Sequence, residues 1–167
     1  MGRVTVRRAR PTDLATVVRL RRALLRHHRD DPLFGRTHPD LARRLRASTK
    51  ARLAAPATEG AVFLALEDGV PVGTLAVEAQ RANPLLWPER FAYIGGAFVI
   101  PAARGRGITR RLVARAERWA REQGLTDVRL DHWSDNPLAA ATWTRLGYAP
   151  VEVLRLKRLD PPAPPGR

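Results

Sequence analysis

The stretch from Val99 to Leu112 constrains the fold more than any other, because an apolar strand (Val99, Ile100) runs through Pro101 into a Gly/Arg turn that opens a helix. The first turn of any helix has N–H groups with no intrahelical partner, and the macrodipole adds partial positive charge at the same point. A phosphate fits there. Gly105 and Gly107 carry no Cβ, so a ligand can approach the backbone, while Arg104 and Arg106 can screen a further negative charge.

Around this turn the chain reads as alternating strands and helices. Val4-Thr5-Val6 alternates into Arg7 and Arg8 as a first strand stopped by Pro11, after which Thr12 or Asp13 caps a helix with Leu14, Val17, Val18, Leu24, Leu25 and His28 at helical spacing. Asp30, Asp31, Pro32 and Gly35 break it, and a second helix is expected from about Pro39 to Ala54. Ala61 to Glu67, Asp68-Gly69 and Val70 to Ala79 read as a β-hairpin on an Asp-Gly turn. A Pro-containing loop, Gln80 to Glu89, leads to a strand over Phe91 to Ile100, in which Gly95-Gly96 predicts a bulge or a close ligand approach.

Ile108, Leu112, Ala116, Trp119 and Ala120 form one stripe of a helix over Gly107 to Gln123, closed by Gly124. Val128, Leu130 and His132 alternate as a strand, which places His132 on an apolar face; Ser134 or Asp135 can cap a helix from Asn136 to Leu146, ended by Gly147; Val151 to Lys157 reads as a last strand. The expected order is β-α-α-β-β-β-α-β-α-β. It predicts an α/β (α+β) fold, a mixed sheet of six to seven strands flanked by about four helices, with a parallel pair across the crossover helix. One domain, residues 1–158, is followed by a Pro-rich tail, 159–167, expected to be disordered.

The 167 residues include no cysteine, which excludes disulfides and thiolate metal sites. No apolar run reaches membrane-spanning length and no signal peptide is evident, so the chain reads as soluble and cytoplasmic with no membrane partner and no metal. The formal charge of +14 favours an anionic partner. Only Lys50 and Lys157 are lysines among the 30 basic residues, however, so a coding bias toward arginine competes as the source of the charge.

Arg104-Gly105-Arg106-Gly107-Ile108-Thr109 resembles the Arg/Gln-x-x-Gly-x-Gly/Ala turn of the GNAT acetyltransferase superfamily, with Thr109 where Gly or Ala is usual. Asn136, Ala139, Trp143, Leu146, Gly147 and Tyr148 resemble that family's Asn-x-x-Ala…Tyr-x-x-x-Gly-Phe helix, and the likeness extends over nearly all of residues 3–158. A dinucleotide fold would carry its glycines after the first strand, and an NTPase turn would need Gly-Lys-Ser/Thr. The resemblance implies acetyl-CoA as acyl donor: the backbone of Ala97, Phe98 and Val99 pairs with the pantetheine arm, the N–H groups from Arg104 to Thr109 (Arg104, Gly105, Arg106, Gly107, Ile108, Thr109) hold the pyrophosphate, and Asn136 sits beside the pantetheine or merely caps its own helix.

The implied reaction is direct attack of a primary amine, from a small molecule or a peptide, on the thioester. Such transfer needs a neutral nucleophile, a stabilised oxyanion and an acid for the leaving thiolate. Trp143 stands where many relatives place an acidic tyrosine, and indole cannot deliver that proton; Tyr148 matches the Gly-Phe position. The strand from Tyr93 to Val99 lacks the glutamate common in relatives, which leaves Glu78, Glu89, Asp131 and His132 as candidate bases and Tyr93 as an acid or substrate contact. The acceptor region implied by the resemblance carries His27, His28, Asp30, Asp31, His38 and Trp87, and Asp30-Asp31 either attracts a cationic amine or simply ends a helix.

An N-acetyltransferase is the leading reading. A non-catalytic acetyl-CoA-binding regulatory module is the alternative that Trp143 motivates, and a nucleic-acid-binding protein is the one the charge motivates, against which the lack of aromatic stacking platforms counts. A homodimer is left open.

Overall fold

The order of elements in a computed structural model, which describes residues 2–159, is β1 (Val4–Arg8), α1 (Leu14–His27), α2 (Leu41–Ala54), β2 (Gly60–Glu67), β3 (Val70–Arg81), β4 (Arg90–Val99), α3 (Ile108–Glu122), β5 (Val128–Leu130) and α4 (Pro137–Arg145). Two compact units result, the first ending at Trp133 and the second starting at Ser134.

In the first unit the five strands form one sheet in the order β1-β2-β3-β4-β5. Every pair is antiparallel except β4 with β5, which are parallel because α3 carries the chain back across the sheet between them. The hairpin turn has positive φ at both Asp68 and Gly69, +48° and +83°. That geometry twists in the sense the flanking strands require.

The sheet separates two apolar layers. On one face α3 buries Ile108, Leu112, Val113, Ala116, Trp119 and Ala120 against the strands, each large side chain contributing about 1.5–3 kcal/mol. The Trp119 indole N–H donates to Ala57 O at 2.8 Å, so the ring is packed without an orphan donor. α3 stops where Gly124, at φ +70°, donates to Arg121 O while Leu125 N–H reaches Ala120 O, the paired bonds of a Schellman stop. On the other face Val17 and Leu20 of α1 pack on Val62, Leu64 and Phe98, with Leu24 and Leu53 beside them.

Three expectations are corrected. The sheet has five strands among the described residues, not six to seven, because Val151 to Lys157 joins no ladder and residues 151–159 are exposed throughout. Apolar alternation reports a half-buried surface only when a partner is present. β5 ends at Leu130, so His132 lies beyond it and is exposed, its Nδ1 bonded to Trp133 O at 2.9 Å, and the alternation that put it in the core runs past the ladder. Asp13 makes no N-cap bond for α1; its carboxylate is held by Arg7, at 2.7 and 2.8 Å, and accepts from the Arg10 backbone N–H at 2.7 Å.

In the second unit Asn136, rather than Ser134 or Asp135, caps α4, its Oδ1 accepting from Ala139 N–H at 3.0 Å with Pro137 at the first helical position. Gly147 (φ +91°) ends α4 by donating to Thr144 O, and Tyr148 N–H reaches Trp143 O. The Trp143 and Tyr148 rings meet edge-on at 5.8 Å, the apolar contact that accompanies such a stop. The expected tail from Asp160 onward lies outside the described residues.

Candidate active site

β4 is paired on both sides only at its start. Ala92, Tyr93 and Ile94 have register partners on β5, but β5 ends at Leu130, so Gly95 to Val99 present an edge without a strand on that side. The bulge anticipated from Gly95-Gly96 lies here: between the pairs Thr74↔Phe98 and Ala76↔Gly95, β4 carries one residue more than β3. Gly96 takes φ +62° to accommodate it. Ile100 N–H donates inward to Val72 O, so the alternation of the ladder turns the Val99 groups outward. There Val99 O accepts from Arg104 Nε at 3.0 Å, which lays the guanidinium along the open edge, 5.9 Å above the Phe98 ring.

The edge leads into the glycine turn. Gly105 and Gly107 have φ of +76° and +70°, and a Cβ on either would meet nothing within 4 Å. Their necessity is conformational, since L-residues resist that region. The first intrahelical bond of α3 runs from Arg111 N–H to Gly107 O, so the N–H groups of Ile108, Thr109 and Arg110 precede it. Arg106 is committed elsewhere, with NH1 on Glu67 at 2.6 Å and NH2 on Ala102 O at 3.1 Å. Of the two arginines expected to screen a ligand, Arg104 is the one aligned with the edge.

On the sheet face covered by α1 and α2, Glu78 and Tyr93 are register partners. Tyr93 leans along its strand toward the bulge, for a Cβ built on Gly95 would lie 3.4 Å from its Cε1. Glu78 is half-buried and lines a cavity of about 360 Å³ with Arg52, Glu59, Gly60, Ala76 and Gln80. Its carboxylate accepts from Gln80 Nε2 at 2.9 Å and lies 3.5 Å from an Arg52 nitrogen.

A geometry of this kind, an open bulged edge ending at an anion-ready helix start, coincides with a sequence match. The profile of the acetyltransferase (GNAT) family matches residues 21–148. The chain belongs to the GNAT family.

Within that family, an aminoglycoside N(6')-acetyltransferase type 1 of Salmonella typhimurium is 26% identical over 99 residues, covering 55% of this chain and 64% of that protein. A mycothiol acetyltransferase of Nocardia farcinica is 34% identical over 95 residues, 55% of this chain and 30% of that protein. This chain therefore spans less than two thirds of the curated GNAT relatives named here. Among solved structures, AAC(6')-Iy bound to the bisubstrate analogue CoA-S-monomethyl-acetylneamine superimposes with a TM-score of 0.78 at 24% identity, over 95% of this chain and 99% of that one. At that identity the likeness is one of fold.

The other residues expected to serve a GNAT site are dispersed. Glu89 is exposed at the base of the β3–β4 loop, where its carbonyl accepts from Ala82 N–H at 2.8 Å, and it does not line the cavity. Asp131 and His132 are exposed beyond β5. Asp31 is buried and spends Oδ1 on the N–H groups of Leu33 and Phe34 at 2.7 and 3.0 Å, while Asp30 lies 3.6 Å from Arg29, so Asp31 closes the end of α1. His38 bonds to Asp40 and Arg44, and Trp87 is 86% exposed. His27 lies 6.4 Å from Phe98, near the open edge, and partial burial followed by the charge of Arg104 lowers its pKa from the usual 6.5. Among the described residues no cluster of three His, Asp or Glu side chains is arranged for a metal, and no helix is long and apolar enough to cross a membrane.

Arg21 and Arg52 were not visible as site residues in the sequence, where they are two arginines among many. The signal that singles them out is their contacts across α1, α2 and β3, which helical spacing does not encode.

Proposed function

We propose that this chain is an acyl-CoA-dependent N-acetyltransferase that moves the acetyl group of acetyl-CoA to a primary amine by direct attack. The observation that carries the reading is the unpaired, bulged edge of β4 running into the Gly105/Gly107 turn. The donor's pantetheine amides would complete the ladder of Ala97, Phe98 and Val99, in the manner of an added strand. Its pyrophosphate would meet the N–H groups of Ile108 and Thr109 at the start of α3, with Arg104 beside it. The bisubstrate complex of AAC(6')-Iy supports this assignment through the shared fold.

The chemistry falls to the face carrying Glu78 and Tyr93. An amine with an ordinary pKa arrives as an ammonium at pH 7. Glu78 is positioned to take a proton from it, directly or through one water, and the neutral nitrogen then attacks the thioester carbonyl carbon. The N–C bond forms and the C–S bond breaks; the thiolate takes the proton of the Tyr93 hydroxyl, whose ring reaches over Gly95 beside the bulge. The second proton that the nitrogen sheds in becoming an amide returns to the tyrosinate directly or through water, and Glu78 releases the first to solvent. Tyr93 thereby fills the role that Trp143 cannot.

Calorimetry with acetyl-CoA and a thiol-release assay over an amine panel test this reading. Micromolar binding with thiol release on at least one amine is expected. No binding at millimolar acetyl-CoA refutes the assignment, and binding without turnover on any amine favours the regulatory module.

A further inference from the structure

We infer that the acceptor is an amine bearing a carboxylate, of the amino-acid class, with its nitrogen at Glu78 and its carboxylate at the Arg21 and Arg52 guanidinium groups. This rests on the role given to Glu78 above.

Arg21 projects from α1 into the seam with α2, where NH1 donates to Ser48 Oγ at 3.0 Å and Thr49 Oγ1 at 2.6 Å. Hydroxyls satisfy donors without neutralising charge. No carboxylate stands within ion-pair distance of Arg21 among the described residues, although eight arginine–carboxylate pairs occur elsewhere among them. Burial, and then the charge of Arg52, lower its pKa from the ordinary arginine range to about 10. Glu78 stands 3.5 Å from Arg52, but Arg21 has no such carboxylate, and a largely desolvated cation beside a second cation is stabilised when a further anion joins it.

The position of the pair says which anion. Ser48 and Thr49 sit one turn of α2 before Arg52, and Arg52 lines the cavity and lies 3.5 Å from Glu78. Arg52 therefore adjoins the site of the reacting nitrogen, and Arg21, held at Ser48 and Thr49 one turn away on α2 and close enough to feel the Arg52 charge, extends the positive field behind it. A planar guanidinium with donors to spare recognises a carboxylate through paired hydrogen bonds. A polycationic amine meets the opposite field: Asp30 and Asp31, the acidic pair that could have drawn one in, are spent on Arg29 and on the backbone of Leu33 and Phe34.

The test separates binding from turnover. Ligand-observed NMR on the CoA-loaded protein compares N-acetylglycine, N-acetyl-L-methionine and N-acetyl-L-phenylalanine with their carboxamides, and thiol release compares glycine, methionine and phenylalanine with their amides and with the polyamine spermidine. At least one carboxylate is expected to bind tenfold or more tightly than its carboxamide, with the same preference in kcat/KM. Arg21→Gln is expected to erase the preference and Arg21→Lys to retain part of it, while acetyl-CoA affinity is unchanged in both. Equal binding of acids and amides, no binding of either, a preference for spermidine, or a preference that survives Arg21→Gln overturns the inference. Loss of acetyl-CoA binding in the unsubstituted protein would instead refute the function proposed above.

Discussion

Glu78 and Tyr93 face each other across the β3–β4 ladder, two residues from the Gly95 position that borders the bulge. At about 3.3 Å per residue, this sets a carboxylate and a phenol roughly 7 Å along the strand from the start of the open edge. An acceptor nitrogen and a leaving sulfur can be served from one sheet face.

Glu78→Gln keeps the hydrogen-bonding shape and removes the proposed base. It is expected to lower kcat by about 10²-fold, and Tyr93→Phe by about 10-fold or more, with acetyl-CoA affinity unchanged by calorimetry. Wild-type kcat in both variants would remove these residues from the chemistry.

Gly107→Ala places a Cβ in open space but at φ +70°. The expected stability loss is about 1 kcal/mol in urea unfolding, because the strain lies in the backbone rather than in a clash. Gly107→Glu adds a carboxylate at the helix start and is expected to abolish acetyl-CoA binding; retained binding would place the pyrophosphate elsewhere.

The Arg7 hydrogen bonds, foremost among its surroundings, lower the Asp13 pKa from 3.8 to about 2. Because the folded pKa lies below the unfolded one, the stabilisation is present above about pH 4 and disappears as pH falls through 2. Arg7 is 41% exposed, so solvent screening limits the effect. Asp13→Asn is expected to cost about 1 kcal/mol at pH 7. Urea titrations of both proteins should converge toward pH 2; a gap of constant size at every pH would contradict the linkage.

His27 holds its proton less tightly than the unfolded chain does, through burial first and Arg104 second. As pH falls through 6.5 its protonation therefore weakens the fold. NMR titration should show a midpoint below 6.5, moved upward by Arg104→Gln and upward by CoA, whose phosphates would offset the Arg104 charge. A midpoint indifferent to CoA would separate Arg104 from the donor.

Legibility in the sequence followed the range of the interaction. The Asp68-Gly69 turn, the α3 stripe with its Gly124 stop and the Gly95-Gly96 bulge are local decisions, written in residues that few others can replace. The end of β5 was not legible, because Val128, Leu130 and His132 alternate beyond the point where β4 diverges. Val151 to Lys157 misled for the same reason, alternation without a ladder. At the site, Glu78 and Tyr93 were candidates among several, and their juxtaposition is a property of register. Arg21 was silent, since a cation becomes informative only when its neighbours fail to neutralise it.

The extra residue at Gly96 changes the parity of β4. Tyr93 and Gly95 are odd-numbered on the face beneath α1, yet Phe98, even-numbered, packs on Leu20 of that same face. One strand thus counts in odd numbers where it carries the phenol and in even numbers where it anchors the helix. Regular pairing of the full-length strand would turn one half inside out, whereas deleting a single glycine would remove the bulge and leave both halves on their present faces, so the length of this segment decides whether the bulge exists at all.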